Sequence, residues 1–429
     1  MVLRPHTFFS GGKTMVNFVS TPPKILTSFL DKFHDVFTRP AFLSFSVYLN
    51  GLFLELKRTN IQTIASRNFF ANYENLQYFI SEAKWDEEKL NNRRIQILES
   101  NRTTKTCKKG VLVIDDTGCK KWGFKTEGAQ VQHYGTEDVI TNCNIVVASA
   151  YCDNRKRFPI NLKPYVPEND SFFEKNFESF KSKIELAQEL MQDAIDKKLN
   201  FSDFIFDTWY FSNDTIEFIQ EKGRTFITEA PVDRLISYRG KWTRAGDLVK
   251  VIPSDKLRWV TVTTPHGKKK SFYTYCFKSK LKGLKGKFGI VVAIGQWDKD
   301  DQKNVHIYVT NHLSYSAEDT LKKYALRWGI ECIFRDLKEN VAFDHYQVRS
   351  IKAINRHWHL ASLAFTFLMI SKLNGTFSKI FRQKPKTVGK QLEMFRKLNS
   401  LSATNWIMQN LKLYQQSCLG TNISLPRSN

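Results

Sequence analysis

The residues whose types and spacing could do chemistry are concentrated between positions 324 and 338. When this segment is read as a helix with about 100° per residue, four polar side chains fall within roughly 60° of one another: Tyr324, Arg327, Glu331 and Lys338. A neighbouring stripe is wholly apolar and predicts a core contact: Leu326, Ile330, Phe334, Leu337 and Val341. A carboxylate flanked by cations at the edge of a core suits a metal ligand that faces a phosphodiester. An ordinary amphipathic helix with ion pairs on its exposed side is the alternative.

Two more acids end short apolar segments earlier in the chain. Asp115 follows four apolar residues and precedes Asp116 and a glycine turn, and Asp207 ends another apolar run. Three carboxylates on three separate elements are what two divalent cations need to align an in-line phosphoryl displacement. Mg²⁺ prefers such oxygen ligands, and Mn²⁺ accepts the same ones. The sequence therefore predicts a two-metal site made by one acid of the pair Asp115-Asp116, by Asp207 and by Glu331.

The order of the predicted elements indicates an α/β fold. Strands and helices follow one another as β-β-β-α-β-α-β, then comes a β-rich stretch, and a late helix carries Glu331. This order matches a ribonuclease-H-like mixed sheet with flanking helices, interrupted by a β-rich insertion. Apolar residues before the predicted sheet follow helical spacing, which predicts a helical N-terminal domain. This domain could be a helix-turn-helix or a plain helical bundle. The expected limits are a flexible N-terminus at 1–22, a helical DNA-binding domain at 23–105, a catalytic domain at 106–230 and 313–375, the insertion at 231–312 and a basic helical C-terminal region at 376–429.

Composition points to a polyanionic partner inside a reducing compartment. The formal net charge of +23 on 429 residues favours nucleic acid, with a membrane surface as the weaker alternative. We recognise no signal peptide and no apolar run long enough to span a bilayer. The seven cysteines are odd in number and never spaced C-x-x-C, which argues against a zinc ribbon and a disulfide framework. We therefore expect the cytoplasm, nucleoid or nucleus.

Eight lysines interleaved with aromatic residues lie between positions 266 and 287. Lysines release counterions from the DNA backbone, and aromatic rings can stack on exposed bases. The lysines that we expect to contact DNA include Lys268, Lys269, Lys270, Lys278 and Lys280. A solvated hairpin with lysines that protect its edge is the alternative. Three tryptophans could wedge against a base, although each is expected to be packed: Trp242, Trp259 and Trp297.

These motifs together resemble the DDE transposases of bacterial insertion sequences. The resemblance is strongest for the branch whose last motif is Tyr-x2-Arg-x3-Glu-x6-Lys, because every spacing from Tyr324 to Lys338 is kept. The first-acid region 115–118 and the blocks at 132–136 and 345–350 resemble the family as well. The likeness covers roughly residues 50–375. One departure is the bulky Trp-Tyr-Phe run at 209–211 after the second acid, for which we favour core packing over a base-binding pocket.

The resemblance implies roles for these residues. Asp115, Asp207 and Glu331 would bind two Mg²⁺ per active site, since the family ligand is the Asp of Asp-x-Thr and not its neighbour Asp116. Tyr324, Arg327 and Lys338 would contact DNA near the cleaved end. It further implies a transposase that acts as a homodimer on its terminal repeats and target DNA, near the nucleoid of the cytoplasm, with no membrane and no small-molecule substrate. A catalytically inactive or domesticated DNA-binding relative is the alternative.

Overall fold

The computed structural model of the chain describes residues 22–54, 58–68, 70–123, 125–135, 138–176, 179–263, 267–295 and 305–411. Apart from residue 22, the predicted flexible N-terminus lies outside the described residues, and so do Trp297 and the last 18 residues of the predicted C-terminal region, 412–429. Two compact units make up the chain. One contains Lys105–Trp122 and Gly128–Phe334, and the other contains Met1–Thr104, Gly123–Glu127 and Arg335–Asn429. The domain limits expected from the sequence stay predictions.

Strands and helices follow in chain order. The strands are β1 (Val111–Lys120), β2 (Gln130–Tyr134), β3 (Val139–Cys152), β4 (Arg157–Tyr165), β5 (Asp203–Phe206), β6 (Thr225–Glu229), β7 (Leu235–Tyr238), β8 (Lys241–Arg244), β9 (Arg258–Thr263), β10 (Lys269–Ser279), β11 (Phe288–Gly295) and β12 (Val305–Thr310). The helices are α1 (Lys24–Leu30), α2 (Arg39–Gly51), α3 (Ile61–Ala65), α4 (Tyr73–Ser81), α5 (Glu87–Ser100), α6 (Phe172–Asn176), α7 (Lys183–Asp196), α8 (Asn213–Glu221), α9 (Leu248–Val251), α10 (Ala317–Tyr324), α11 (Trp328–Val341), α12 (Ile351–Leu373), α13 (Thr376–Phe381) and α14 (Val388–Gln409).

A mixed sheet forms the centre of the unit that contains β1 to β12. Among the described residues, its strand order is β2-β3-β1-β5-β6-β12-β11-β10-β9, with β4 also paired to β3. β1, β5 and β6 are parallel, whereas β3 is antiparallel to β1 and β4. Helix α7 packs on β3 and β4, and α10 packs on β6 and β9. The predicted ribonuclease-H-like α/β fold is therefore confirmed.

The stretch predicted as a β-rich insertion extends this same sheet. β12 pairs antiparallel with β6, with Val309 beside Thr228, and β11, β10 and β9 follow in turn. β7 and β8 form a separate hairpin. Helix α10 then begins with a capping box at Ser316 and Asp319, as its sequence predicts.

The glycine turn expected after Asp115 is wrong, because β1 runs on to Lys120. Its ladder with β3 is continuous from Val111 beside Cys152 to Lys120 beside Cys143, so the backbone has partners throughout. Gly118 serves a close contact instead. A Cβ there would lie 2.6 Å from the ring of Tyr134, so only glycine lets the ring pack over the strand.

The second unit is helical, with α12 at its centre. This helix is buried along most of its length and contacts α2, α4, α5, α13 and α14. Its buried Arg356 donates to the backbone oxygens of Ala83 and Trp85 at 2.9 and 2.5 Å. The N-terminal helices therefore share a core with 335–411. No helix in the described parts of the chain is long and apolar enough to cross a membrane.

Candidate active site

The first two predicted acids lie side by side, Asp115 within β1 and Asp207 directly after the end of β5. β1 and β5 are parallel neighbours with Val113 beside Ile205. The same register continued by two residues brings Asp115 level with Asp207, and adjacent strands are about 4.8 Å apart. The carboxylate of Asp207 accepts a hydrogen bond of 3.0 Å from the backbone N–H of Trp209 and so caps a 3-10 turn.

The third acid, Glu331, comes from a segment that the sequence predicted to be one continuous helix, and this prediction is wrong. α10 ends at Tyr324, a 3-10 turn covers Ala325–Arg327, and α11 begins at Trp328. All three turn residues are good helix formers, so their types carry no signal of the break. The predicted apolar stripe is nevertheless buried at every position: Leu326, Ile330, Phe334, Leu337 and Val341.

Arg327 bridges two of the acids. Its Nη1 donates to Oδ2 of Asp115 at 2.9 Å, and its Nη2 donates to Oε1 of Glu331 at 2.5 Å. The side chains of Asp115, Arg327 and Glu331 are 13%, 22% and 29% exposed. Sheet and helix are therefore joined by a largely desolvated cation between two carboxylates.

Burial disfavours the ionised forms of the three acids in this cluster. It raises the pKa of Asp115 to about 8, although the positive charge of Arg327 opposes the shift and the charges of Asp207 and Asp116 add to it. Burial also raises the pKa of Asp207 and of Glu331, again against the charge of Arg327. One guanidinium is thus too little positive charge for three neighbouring carboxylates.

The donor set fits the chemistry of a hard divalent cation. Three carboxylates on three elements are the ligands that Mg²⁺ and Mn²⁺ prefer. As the side chains stand, no three Asp, Glu, His or Cys residues in the described parts of the chain are close enough to hold one ion together. Arg327 already bonds Asp115 and Glu331, so a cation would require it to release them.

Asp116 belongs to the opposite face of the sheet, because neighbouring side chains on a strand alternate. Its Oδ2 lies 2.8 Å from Nζ of Lys183 at the start of α7, and its Oδ1 accepts from the hydroxyl of Tyr210 at 3.1 Å. The side chain therefore ties α7 to β1, while Asp115 alone faces Arg327.

Comparison with known proteins gives two family models and one relative that match this chain. A family model described as DDE superfamily endonuclease matches residues 32–237, and one described as Transposase DDE domain matches residues 181–367. The two matches overlap and together extend over residues 32–367, which supports a DDE transposase of insertion sequences. The chain is also 24% identical over 225 residues to a probable transposase for the insertion sequence element IS701 of Microchaete diplosiphon. That match covers 51% of this chain and 53% of the relative, so it spans about half the relative's length.

Two contacts set the positions of α10 and α11 in this chain. Lys323 of α10 donates to the fully buried Asp203 of β5 at 2.8 Å, and the hydroxyl of Tyr315 donates to the same carboxylate at 3.0 Å. At the start of α11, a Cβ on Gly329 would lie 2.5 Å from Sγ of Cys152, so glycine permits a close approach to β3. Both contacts lie within a few residues of Arg327 and Glu331.

The other predicted DNA contacts differ in their surroundings. Tyr324 is partly buried and its ring packs against Tyr308, with centroids 4.6 Å apart. Lys338 lies on α11, is half-buried and is itself part of the other unit. The five predicted lysines are exposed: Lys268, Lys269, Lys270, Lys278 and Lys280. Lys269 and Lys270 point to opposite faces of β10, so the lysines do not form one surface.

The tryptophans correct part of the packing prediction. Trp242 and Trp259 are 50% and 47% exposed, because they lie on β8 and β9 at sheet edges, and their expected packing is wrong. In the run after Asp207, Tyr210 and Phe211 are buried as predicted, but Trp209 is 56% exposed. Nζ of Lys183 lies 5.1 Å from the centre of its ring.

The sequence interpretation missed one pair beside the acids. Oε1 of Glu229, the last residue of β6, lies 2.6 Å from Nδ1 of His306 on β12. The signal was the one that revealed Asp115 and Asp207, an acid at the carboxy end of a buried parallel strand. It was overlooked because β6 begins and ends with polar residues and has no continuous apolar run.

Proposed function

We propose that this chain is the transposase of an insertion sequence, which cleaves DNA at the ends of its own element and joins the 3′ ends to target DNA. The observation that carries the proposal is the cluster in which Asp115, Asp207 and Glu331 surround Arg327 at one edge of a ribonuclease-H-like sheet. The matches to the two DDE family models support it.

Asp115, Asp207 and Glu331 would hold two divalent cations, Mg²⁺ or Mn²⁺, which supply positive charge for the attacking and leaving oxygens when bound. Arg327, on releasing the carboxylates, has a planar pair of N–H groups that matches a DNA phosphate. Tyr324 presents a phenol near Arg327, Asp207 and Asp115, and burial raises its pKa, so it stays a hydrogen-bond donor. The chain's own groups therefore bind and orient the DNA strand.

The rest of the molecule supports a DNA partner. The net charge of +23 favours a polyanionic partner, and β10 carries exposed lysines outside the cluster of acids. We assign terminal-repeat recognition to the N-terminal helices, and we expect a homodimer on DNA near the nucleoid in the cytoplasm. Lys338 would contact the same DNA end.

A second candidate is a catalytically inactive, transposase-derived DNA-binding protein. The observation that favours it is the bridge of Arg327 to Asp115 and Glu331, which leaves no three acids close enough to share an ion among the described residues. In that case Arg327 would stay bonded to Asp115 and Glu331 permanently, and the acids would only stabilise the folded chain.

A nicking and strand-joining assay separates the two candidates. The substrate is a duplex that carries the end of the element encoding the chain, incubated with Mg²⁺, Mn²⁺ or EDTA. We expect metal-dependent cleavage at the 3′ end in the wild type, and loss of at least about 100-fold in Glu331→Gln. Glu339→Gln, an exposed acid later on α11, is the matched control and should cleave normally. Tight, salt-sensitive binding without cleavage in either metal would favour the inactive protein instead.

A further inference from the structure

A third carboxylate extends the row formed by Asp115 and Asp207. Phe206 of β5 pairs in parallel with Thr228 of β6, so the next residues on these strands, Asp207 and Glu229, stand level. Three neighbouring strands, β1, β5 and β6, therefore place three carboxylates level with one another on one face of the sheet, with about 4.8 Å between adjacent strands. The proposed reaction makes no use of Glu229.

His306 holds this third carboxylate and is held by it. Nδ1 of the ring lies 2.6 Å from Oε1 of Glu229, and the ring stacks on Tyr308 with an interplanar angle of 18°. These two contacts fix the imidazole so that Nε2 points away from Glu229. Nε2 forms no hydrogen bond within the described parts of the chain, and 36% of the side chain is exposed. One oriented ring nitrogen therefore faces solvent beside the acids.

The charges around the pair favour an anionic ligand. The hydrogen bond to Glu229 raises the pKa of His306, against the effects of burial and of the nearby charge of Lys270. A protonated imidazole donates from both nitrogens, so Nε2 becomes a charged donor while Nδ1 stays with Glu229. Glu229 without this partner would add a negative charge next to Asp207 and repel a DNA strand. Pairing with His306 offsets this negative charge, and the protonated ring can then bind a phosphate.

The plainer explanation is a cross-strand ion pair that only ties β12 to β6. Such a pair accounts for the contact between the two side chains, but it gives no role to the exposed Nε2. Lys270 points to the same face as His306, because Phe272, two residues later on β10, packs in the cluster that contains Tyr308. His306 thus lies between the acid row and the nearest predicted DNA-binding lysine.

We propose that His306, positioned by Glu229, binds a phosphate of the DNA strand close to the phosphate that is cleaved. The N–H at Nε2 donates to a non-bridging phosphate oxygen, and Glu229 acts as a positioning residue through Nδ1. His306 is about two strand spacings from Asp207, or on the order of 10 Å, which suits a neighbouring nucleotide and not the reacting one. The inference rests on the proposed function, since it needs DNA bound at the acids.

Single-phosphate replacement tests the contact. Duplexes carrying the element end are made with one phosphate at a time replaced by a neutral methylphosphonate, and the Kd of each is measured in EDTA at pH 6.5. In the wild type, one position beside the cleavage site should weaken binding about ten-fold, as expected for a charge-assisted hydrogen bond. In His306→Gln, unmodified DNA should bind about ten-fold more weakly, and replacement at that position should cost nothing further.

The controls separate a phosphate contact from a structural pair. Glu229→Gln should reduce the penalty at the same position only, because the ring loses its fixed orientation. His312→Gln, on a residue just after β12 that stacks on Tyr315, should keep the wild-type pattern. Unchanged penalties at every position in His306→Gln, in a variant that binds and cuts element ends, would overturn this inference and leave the proposed function standing. Absence of binding to element ends in the wild type would overturn both.

Discussion

Replacing Asp115 by Asn should stabilise the chain at neutral pH while it removes DNA cleavage. Burial raises the pKa of Asp115 to about 8, compared with about 3.9 in an unfolded chain. At pH 7 the wild type must therefore take up a proton on folding, and pH 7 is about three units above the pKa of the unfolded carboxyl. At about 1.4 kcal/mol per unit, this costs the wild type up to about 4 kcal/mol. Asn has no charge to bury, and its amide oxygen can still accept from Arg327.

The sign of the pH dependence follows from the raised pKa. Well below pH 4 the carboxyl is protonated in both states, so the stabilities of the wild type and of Asp115→Asn should differ least there. As the pH rises from about 4 to 8, the wild type loses stability and the variant does not. The gap in the free energy of unfolding should therefore open to a few kcal/mol by pH 7.5 in EDTA.

Urea unfolding at pH 4.5, 6 and 7.5 measures this gap. Asp116→Asn is the matched control: it breaks the pair with Lys183 and should destabilise the chain at pH 7.5. Added Mg²⁺ should stabilise the wild type and leave Asp115→Asn unchanged, if the acids bind the ion. An Asp115→Asn chain that is less stable than the wild type at pH 7.5, or a gap that does not change with pH, would refute the reasoning from burial.

Two further substitutions probe how the acids are held. Gly329→Ala should lower the free energy of unfolding by about 1–3 kcal/mol and slow cleavage, because its Cβ meets Sγ of Cys152 and pushes α11 from the sheet. Urea unfolding measures this loss of stability. A second change, Cys152→Ala, should restore much of the lost stability. Arg327→Ala should lower stability in EDTA, since Asp115 and Glu331 lose their cation, yet bind Mg²⁺ about ten-fold more tightly in calorimetric titration without DNA. Weaker Mg²⁺ binding by this variant would show that Arg327 does not compete with the ion.

The sequence predicted the sheet and its first acids because strand ends carry a local signal. An apolar run that stops at a carboxylate, as at Asp115 and Asp207, needs no knowledge of tertiary structure. The same rule should have found Glu229, but the short β6 is polar at both ends. Which acids stand level depends on strand register, and register is set by partners far away in the chain.

Two errors arose where a tertiary contact outweighs local preference. The composition after Asp115 is typical of a turn, yet β3 pairs with the whole of β1 and Tyr134 occupies the space that a side chain on Gly118 would fill. The break before Trp328 lies among good helix formers, so only the packing of α10 and α11 on the sheet can cause it. Arg327 in the 3-10 turn still contacts Glu331 of α11, because a 3-10 turn keeps a similar helical direction.

Arg327 explains how three buried acids can coexist before any reaction. Two carboxylates on sheet strands and one on a helix repel one another, and a folded chain must offset that repulsion with a cation or with protons. Arg327 offsets only part of the combined effect of burial and repulsion, which together raise the pKa of Asp115. Full compensation by a buried arginine cluster would stabilise the fold but would leave little affinity for a metal. Partial compensation keeps the site folded and still leaves it with a net demand for positive charge, which is the property that a two-metal site requires.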